Sequence, residues 1–191
     1  DCKYPVVYAE RGRAVIKVKA DLDHLIAFMN KYILNTQNKG ERLGIDYKNE
    51  EFGQLEIRNY HLTKEDFSFS ISYPAGLTLE EILTQLNNIE GYEYEVVSHF
   101  KPVYFDKKAP MVEIMKETYE YVTGNDGTPV TTTGGTYAKM MPHIVPFGPS
   151  FPGQKGIGHN PNEWMTREDL ITNAKIYALT LYQLSRKETK L

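Results

Sequence analysis

Five histidines are spread along a 191-residue chain, and one of them stands where the backbone could carry it close to a metal ion. His159 ends the run Gly153-Gln154-Lys155-Gly156-Ile157-Gly158, and a neutral imidazole on such a glycine-rich approach is a natural zinc ligand. One histidine fixes nothing by itself, and a surface-loop histidine without a role is the plainer alternative. Gly134-Gly135, followed by Thr136-Tyr137-Ala138-Lys139, is the second candidate. A glycine pair ahead of a short helix presents backbone N–H groups, which suit a carboxylate or another anion; otherwise it is an ordinary turn. Two adjacent acidic pairs have the residue type of a general base. Glu50-Glu51 sits in a polar loop, and Glu80-Glu81 occupies the first turn of a helix, where acid complements the dipole. Neither is read as catalytic. His24, His61, His99 and His143 lack a spacing to carboxylates that suggests a site, and are read as structural or exposed. With Cys2 as the sole cysteine, a metal here must be held by histidine and carboxylate.

The elements that would position these residues follow from hydrophobic period. Arg13 to Lys19 alternates as a half-buried strand. A helix follows from Asp21, its N-cap, with Leu22, Leu25, Ile26, Met29 and Ile33 on one face. Residues 35–53 read as a loop. Gln54 to Leu62 and Phe67 to Tyr73 are two strands joined by Thr63-Lys64-Glu65-Asp66, and Pro74 ends the second. Thr78 and Glu81 form a capping box for a helix that Gly91 stops, and Tyr92 to Phe100 is a further strand. Strand, helix, strand, strand, helix, strand is the ferredoxin-like, split βαβ order, an α+β unit. Pro110 then opens a helix with Met111, Met115, Thr118 and Val122 along one side, closed by Gly124. Residues 131–163 carry no period. Gly and Pro are dense there, one short strand is expected at His143 to Pro146, and so long an irregular connection is usually functional. A last helix starts at Thr166, with Leu170, Ala174, Tyr177, Ala178 and Leu181 as its apolar stripe.

Hydrophobic content of 41% with 25% charged residues is ordinary globular composition. A net charge of -3 gives no basic footprint for nucleic acid, and no window is apolar enough to span a membrane. The start of the chain does not read as a signal peptide, and one cysteine fits a reducing cytoplasm.

Four strings in fixed order carry a family resemblance. They are Gly134-Gly135-Thr136-Tyr137-Ala138-Lys139, Phe147-Gly148, Phe151-Pro152-Gly153 and His159-Asn160-Pro161-Asn162-Glu163. The order resembles that of the PepV-type, or Xaa-His, dipeptidases, dinuclear-zinc enzymes of the aminoacylase and carnosinase clan. The resemblance implies that residues 1–12 end an N-terminal catalytic segment. It makes 13–101 a ferredoxin-like lid domain and 102–191 the C-terminal part of an α/β catalytic domain. It implies that His159 and Asp1, of Asp1-Cys2-Lys3-Tyr4-Pro5, are metal ligands. Gly134, Gly135, Thr136 and Lys139 would hold the substrate, with Lys139 on its C-terminal carboxylate. The family has Arg there, and Lys offers the charge without the bidentate fork. Asn162 and Glu163 would support the metal ligand or cap the following helix. The implied cofactor is zinc, two ions in the intact family, with manganese or cobalt as alternatives. The implied substrate is a dipeptide with a free N-terminus, and homodimers through the lid are a feature of the clan.

The chain departs from the pattern in two places. The family's His-x-Asp ligand pair and its Glu-Glu pair with the general base have no match, and Lys19-Ala20-Asp21 runs straight on where the lid has a Ser-Ala-His-Gly segment. The expectation is therefore a shortened chain, inert as a catalyst by itself. A non-enzymatic ferredoxin-like interaction or dimerisation module is the alternative.

Overall fold

A computed structural model describes residues 5–132, 134–141, 144–148, 151, 158 and 160–186. It is a mixed α/β structure of two compact units. One comprises Ala9–Val103 with Gly134 and Gly135. The other comprises the described residues up to Tyr8, Tyr104–Thr132, and the described residues from Thr136 onward. No described helix is long and apolar enough to cross a membrane.

The Ala9–Val103 unit is a four-stranded antiparallel sheet with two helices. Its strands are β2 (Gly12–Lys19), β5 (Glu56–Leu62), β6 (Asp66–Tyr73) and β7 (Glu93–Phe100), in the order β5-β6-β2-β7. Helix α1 (Leu22–Phe28) follows β2, and α2 (Leu79–Asn87) joins β6 to β7. Alternation sets the register. Ala14, Ile16 and Val18 lie opposite Ile71, Phe69 and Phe67, and all six are fully buried. Their neighbours Lys17 and Lys19 stay at the surface and bridge to Asp66 and Glu95. The core closes on Leu25, Phe28 and Ile33 from one side and on Ile82 and Leu86 from α2. The capping box forms as the sequence indicates: Glu81 N–H donates to Thr78 Oγ1, and Thr78 N–H donates to Glu81 Oε2.

Three local expectations are corrected. The first helix turns only part of the expected face inward: Leu25 and Ile33 are buried, Met29 packs on the core and Phe28 joins them, whereas Leu22 and Ile26 are exposed. Its second half, Met29–Ile33, is a π-turn in which Leu34 N–H reaches the Met29 carbonyl, and the wider turn shifts the phase of the stripe. Strand β5 carries a bulge between Arg58 and His61, with Asn59 in the left-handed region at φ 58°. The extra residue brings Tyr60 round to stack on Phe67. The expected loop at 35–53 holds a 3-10 turn, Glu41–Leu43, and most of a small hairpin, β3 (Lys48–Asn49) with β4 (Gly53–Gln54).

A three-stranded sheet, order β8-β1-β9, is formed by β1 (Val7–Glu10), β8 (Val103–Tyr104) and β9 (Val130–Thr132), and the second unit contributes Val7, Tyr8, Tyr104 and Val130–Thr132 to it. Helices α3 (Pro110–Thr123) and α4 (Arg167–Arg186) pack together. Pro110 takes the first position of α3, and Gly124 ends it in the left-handed region at φ 67°. The buried face of α3 is Val112, Ile114, Met115, Thr118 and Tyr119. The expected stretch of Met111, Met115, Thr118 and Val122 therefore overlaps it in only two residues. Strand β9, inside the stretch without period, was not anticipated. The strand expected at His143 to Pro146 does not form over its described residues, Ile144–Pro146; instead Val7 N–H bonds to the Pro146 carbonyl and Phe147 bridges Val6. Pro146 has no N–H to extend a ladder. In α4 the buried residues are Asn173, Ile176 and Thr180, so the predicted stripe of Leu170, Ala174, Tyr177, Ala178 and Leu181 faces outward.

Candidate functional site

Thr136 opens a single 3-10 turn, Tyr137–Met140, and is exposed, as are Gly134 and Gly135 in the other unit. Thr136 caps it: Ala138 N–H donates to Thr136 Oγ1 at 3.1 Å, and Lys139 N–H donates to the Thr136 carbonyl at 3.3 Å. This fixes Ala138 inward and leaves Lys139 half-buried.

The segment after His159 is a β-turn. Glu163 N–H donates to the Asn160 carbonyl at 3.2 Å, with Pro161 second and Asn162 third at φ 62°. Pro then a left-handed residue is the type II combination. Asn160 Nδ2 donates to the Gly158 carbonyl at 3.2 Å, and Glu163 Oε1 lies 3.8 Å from where a Cβ on Gly158 would sit. The turn folds back on the glycine that precedes His159. The cap on α4 is Thr166, whose Oγ1 accepts from Asp169 N–H at 3.0 Å, so Asn162 and Glu163 do not cap that helix. Both metal-ligand candidates, His159 and Asp1, lie outside the described residues, as does His143. Among the described residues no three His, Cys, Asp or Glu side chains converge as a metal group.

The remaining candidates fall into place separately. Glu50 and Glu51 are exposed at the small hairpin, where Asn49 Oδ1 accepts the N–H groups of Glu51 and Phe52. His24 is exposed beside Asp21, its Nδ1 2.6 Å from Asp21 Oδ2, so it has the carboxylate spacing that sequence reading denied it; the pair belongs to the helix cap. His61 is exposed on β5.

Two features were missed. Arg11 is buried, and its Nη2 donates to the Ser72 carbonyl at 2.7 Å and to the Gln54 carbonyl. Burial lowers its pKa, and nearby Glu56 opposes that shift. A Glu-Arg pair between two strands could have signalled it, but charge normally reads as surface. The second feature is Tyr73, fully buried and pushed up to about 12, first by burial and then by Glu80. Its hydroxyl lies 2.5 Å from His99 Nε2, with the rings stacked. A phenol that stays protonated is the donor, so His99 accepts as neutral imidazole. Burial lowers the His99 pKa, Glu80 raises it, and Lys101 lowers it again. The folded state therefore binds this proton less readily than the unfolded chain. Stability contributed by His99 is present above the unfolded value of about 6.5 and is lost as pH falls through the lower folded value. On going from about pH 7.5 to about pH 5, wild type is expected to lose more melting temperature than His99→Gln, which keeps an acceptor without titrating. Equal losses would place the pH dependence elsewhere.

The pattern of Peptidase family M20/M25/M40 matches residues 8–183. The "Putative dipeptidase" of Staphylococcus saprophyticus is 27% identical over 92% of this chain and 39% of its own length. A protein of the same name in Staphylococcus aureus USA300 is 27% identical over 96% of this chain and 42% of its own. The chain thus spans about two-fifths of the length of the curated relatives it matches. Among solved structures, the di-peptidase Dug1p of Saccharomyces cerevisiae superposes with a TM-score of 0.64, covering 97% of this chain and 57% of that one at 12% identity. Human carnosine dipeptidase 1 gives 0.62, with 97% and 57% covered at 13% identity. At those identities the likeness is one of fold. With its family pattern running through nearly all of the sequence, this chain belongs to peptidase family M20/M25/M40.

Proposed function

We propose that the chain is the lid and C-terminal catalytic part of a metal-dependent dipeptidase of the PepV type. Family membership and relatives named as dipeptidases support the activity class. The strand order β5-β6-β2-β7 with α1 and α2 supports reading residues 13–101 as a ferredoxin-like lid, and 102–191 as catalytic-domain sequence. The observation that carries the proposal is the Tyr137–Met140 turn capped by Thr136, with Lys139 half-buried in it. In this reading the backbone N–H groups and the Lys139 ammonium bind the carboxylate of a dipeptide, as a charge rather than a fork.

Zinc chemistry would supply an activated water and a polarised carbonyl. The described residues do not offer the three or four ligands that tight zinc binding needs, so no chemical step is assigned to the metal from this chain. His159 and Asp1 are proposed as partial ligands, with Asn162 and Glu163 holding the turn behind His159. The 191 residues alone are accordingly proposed to be inert. The purified chain, given zinc or manganese and a dipeptide, is expected to show no turnover, and His159→Ala is expected to lower the zinc retained after desalting. Clear turnover would refute the inertness, and equal zinc in both proteins would remove His159 from the site.

The interaction-module reading is favoured less. Edge strands β5 and β7 carry Glu56, Arg58, Glu93 and Glu95, and edge charges discourage pairing through a sheet.

A further inference from the structure

The Ala9–Val103 unit holds a cavity of about 260 Å³ between α2 and the segment 44–47. Its floor is apolar, with Ile45 and Ile82 buried and Leu77 half-buried. Its mouth is polar, with Asp46, Glu81 and Gln85 exposed. No lining residue is Lys, Arg or His, so the lining carries two carboxylates and no positive charge. Every lining residue belongs to this one unit, and none has a part in the dipeptidase reading.

The walls are fixed before any ligand arrives. Ile45 N–H donates to the Gly40 carbonyl at 3.1 Å, and Leu55 N–H donates to the Tyr47 carbonyl at 2.9 Å, which anchors the 44–47 segment near both ends. Gly76, at φ 94°, admits the Tyr47 side chain to the cavity wall; a Cβ there would stand 2.6 Å from the Tyr47 hydroxyl oxygen. Glu81 is held by the capping box of α2, where Thr78 N–H and Thr78 Oγ1 both donate to Glu81 Oε2 at 2.8 Å. Those two hydrogen bonds, the backbone one first, keep the Glu81 carboxyl below its ordinary value, so it is ionised at neutral pH. Both use Oε2, which leaves Oε1 to face a ligand.

Two carboxylates at the mouth of one cavity repel each other, and an apolar floor beneath them gives up free energy while it stays wet. A ligand that answers both has two cationic ends and an apolar middle. A metal ion does not fit, since among the described residues no three His, Cys, Asp or Glu side chains converge. A dipeptide does not fit either, because its own carboxylate would meet two more. We propose that this cavity binds a short linear diamine, with one ammonium on Asp46, the other on Glu81, and the methylene chain on Ile45, Leu77 and Ile82. Gln85 stands one turn from Glu81 on α2 and offers its amide oxygen to the same ammonium.

The test is calorimetric titration of the 191-residue chain with diaminopropane, diaminobutane, diaminopentane and diaminohexane, and with pentylamine as the one-headed control. Binding is expected to be one-to-one, to peak at one chain length, and at that length to exceed pentylamine by about fivefold, the worth of one ion pair in a half-open site. Asp46→Asn and Glu81→Gln should each weaken the best diamine by about fivefold; glutamine still serves a capping box. Gln85→Lys puts a tethered ammonium in the mouth and should abolish saturable binding. Glu117→Gln, on α3 and away from the cavity, should change nothing. Far-UV circular dichroism of each variant alone checks that the unit is folded. Absence of saturable binding to wild type, an affinity that rises steadily with every methylene, or equal affinity in Asp46→Asn and Glu81→Gln would each overturn the proposal. Neither result bears on the dipeptidase reading, which dipeptide turnover and zinc retention test by themselves.

Discussion

Truncating Phe28 to alanine is expected to cost about 3 to 5 kcal/mol, the range for removing a buried aromatic ring from a core. Phe28 ends α1 with no exposed surface. Its ring meets Tyr92 at 4.9 Å between centroids, Tyr32 at 5.1 Å and Phe67 at 6.1 Å. Three elements converge on it: the π-turn after α1, strand β6 and the approach to β7. None can move in to fill the gap without breaking its own hydrogen bonds, so most of the ring volume would remain as a void. Urea unfolding followed by far-UV circular dichroism measures the loss as a fall in midpoint at unchanged slope. A loss below about 1 kcal/mol would mean that the neighbouring rings collapse into the space.

Replacing Arg11 by methionine is expected to cost about 2 to 4 kcal/mol, although Met keeps the length and the apolar stem. The guanidinium joins the Ser72 and Gln54 carbonyls from a buried position, and methionine would strip both of that donor. It would also remove the cation that offsets Glu56. Lysine should recover part of the loss and not all, because its side chain is shorter and its more strongly hydrated ammonium costs more to bury. Near-neutral behaviour of the methionine variant would show that desolvating the guanidinium costs as much as its bonds return.

These two residues also mark where sequence was informative and where it was not. Strand β6 is plain in Phe67, Phe69, Ile71 and Tyr73 because strict alternation has one explanation. The capping box of α2 is equally local, needing Thr78 and Glu81 alone. Phe28 escaped because a π-turn shifts the helical phase, and Asn59 because a bulge reverses a strand's faces midway; neither leaves a compositional mark. In α4 the expected apolar stripe faces outward, and the covered side holds Asn173, Ile176 and Thr180, two polar residues that a hydrophobic period passes over. At the candidate site, the short helix after Thr136 follows from residue type, whereas the Asn160–Glu163 turn was read as ligand support or a helix cap. The Arg11 and Tyr73–His99 contacts join residues far apart in the chain, and no local pattern encodes them.

The path of the chain through its two units has a practical consequence. Within the Ala9–Val103 unit the first and last strands of the four-stranded sheet, β2 and β7, are neighbours, and Arg13 pairs directly with Phe100. On the other bank, Phe105 N–H bonds to the Tyr8 carbonyl. Both severed ends therefore lie side by side on either bank of the crossing. The sheet-and-two-helix piece is a cassette: lifting it out would leave a gap that a few flexible residues could bridge, and another cassette with neighbouring ends could be spliced in its place.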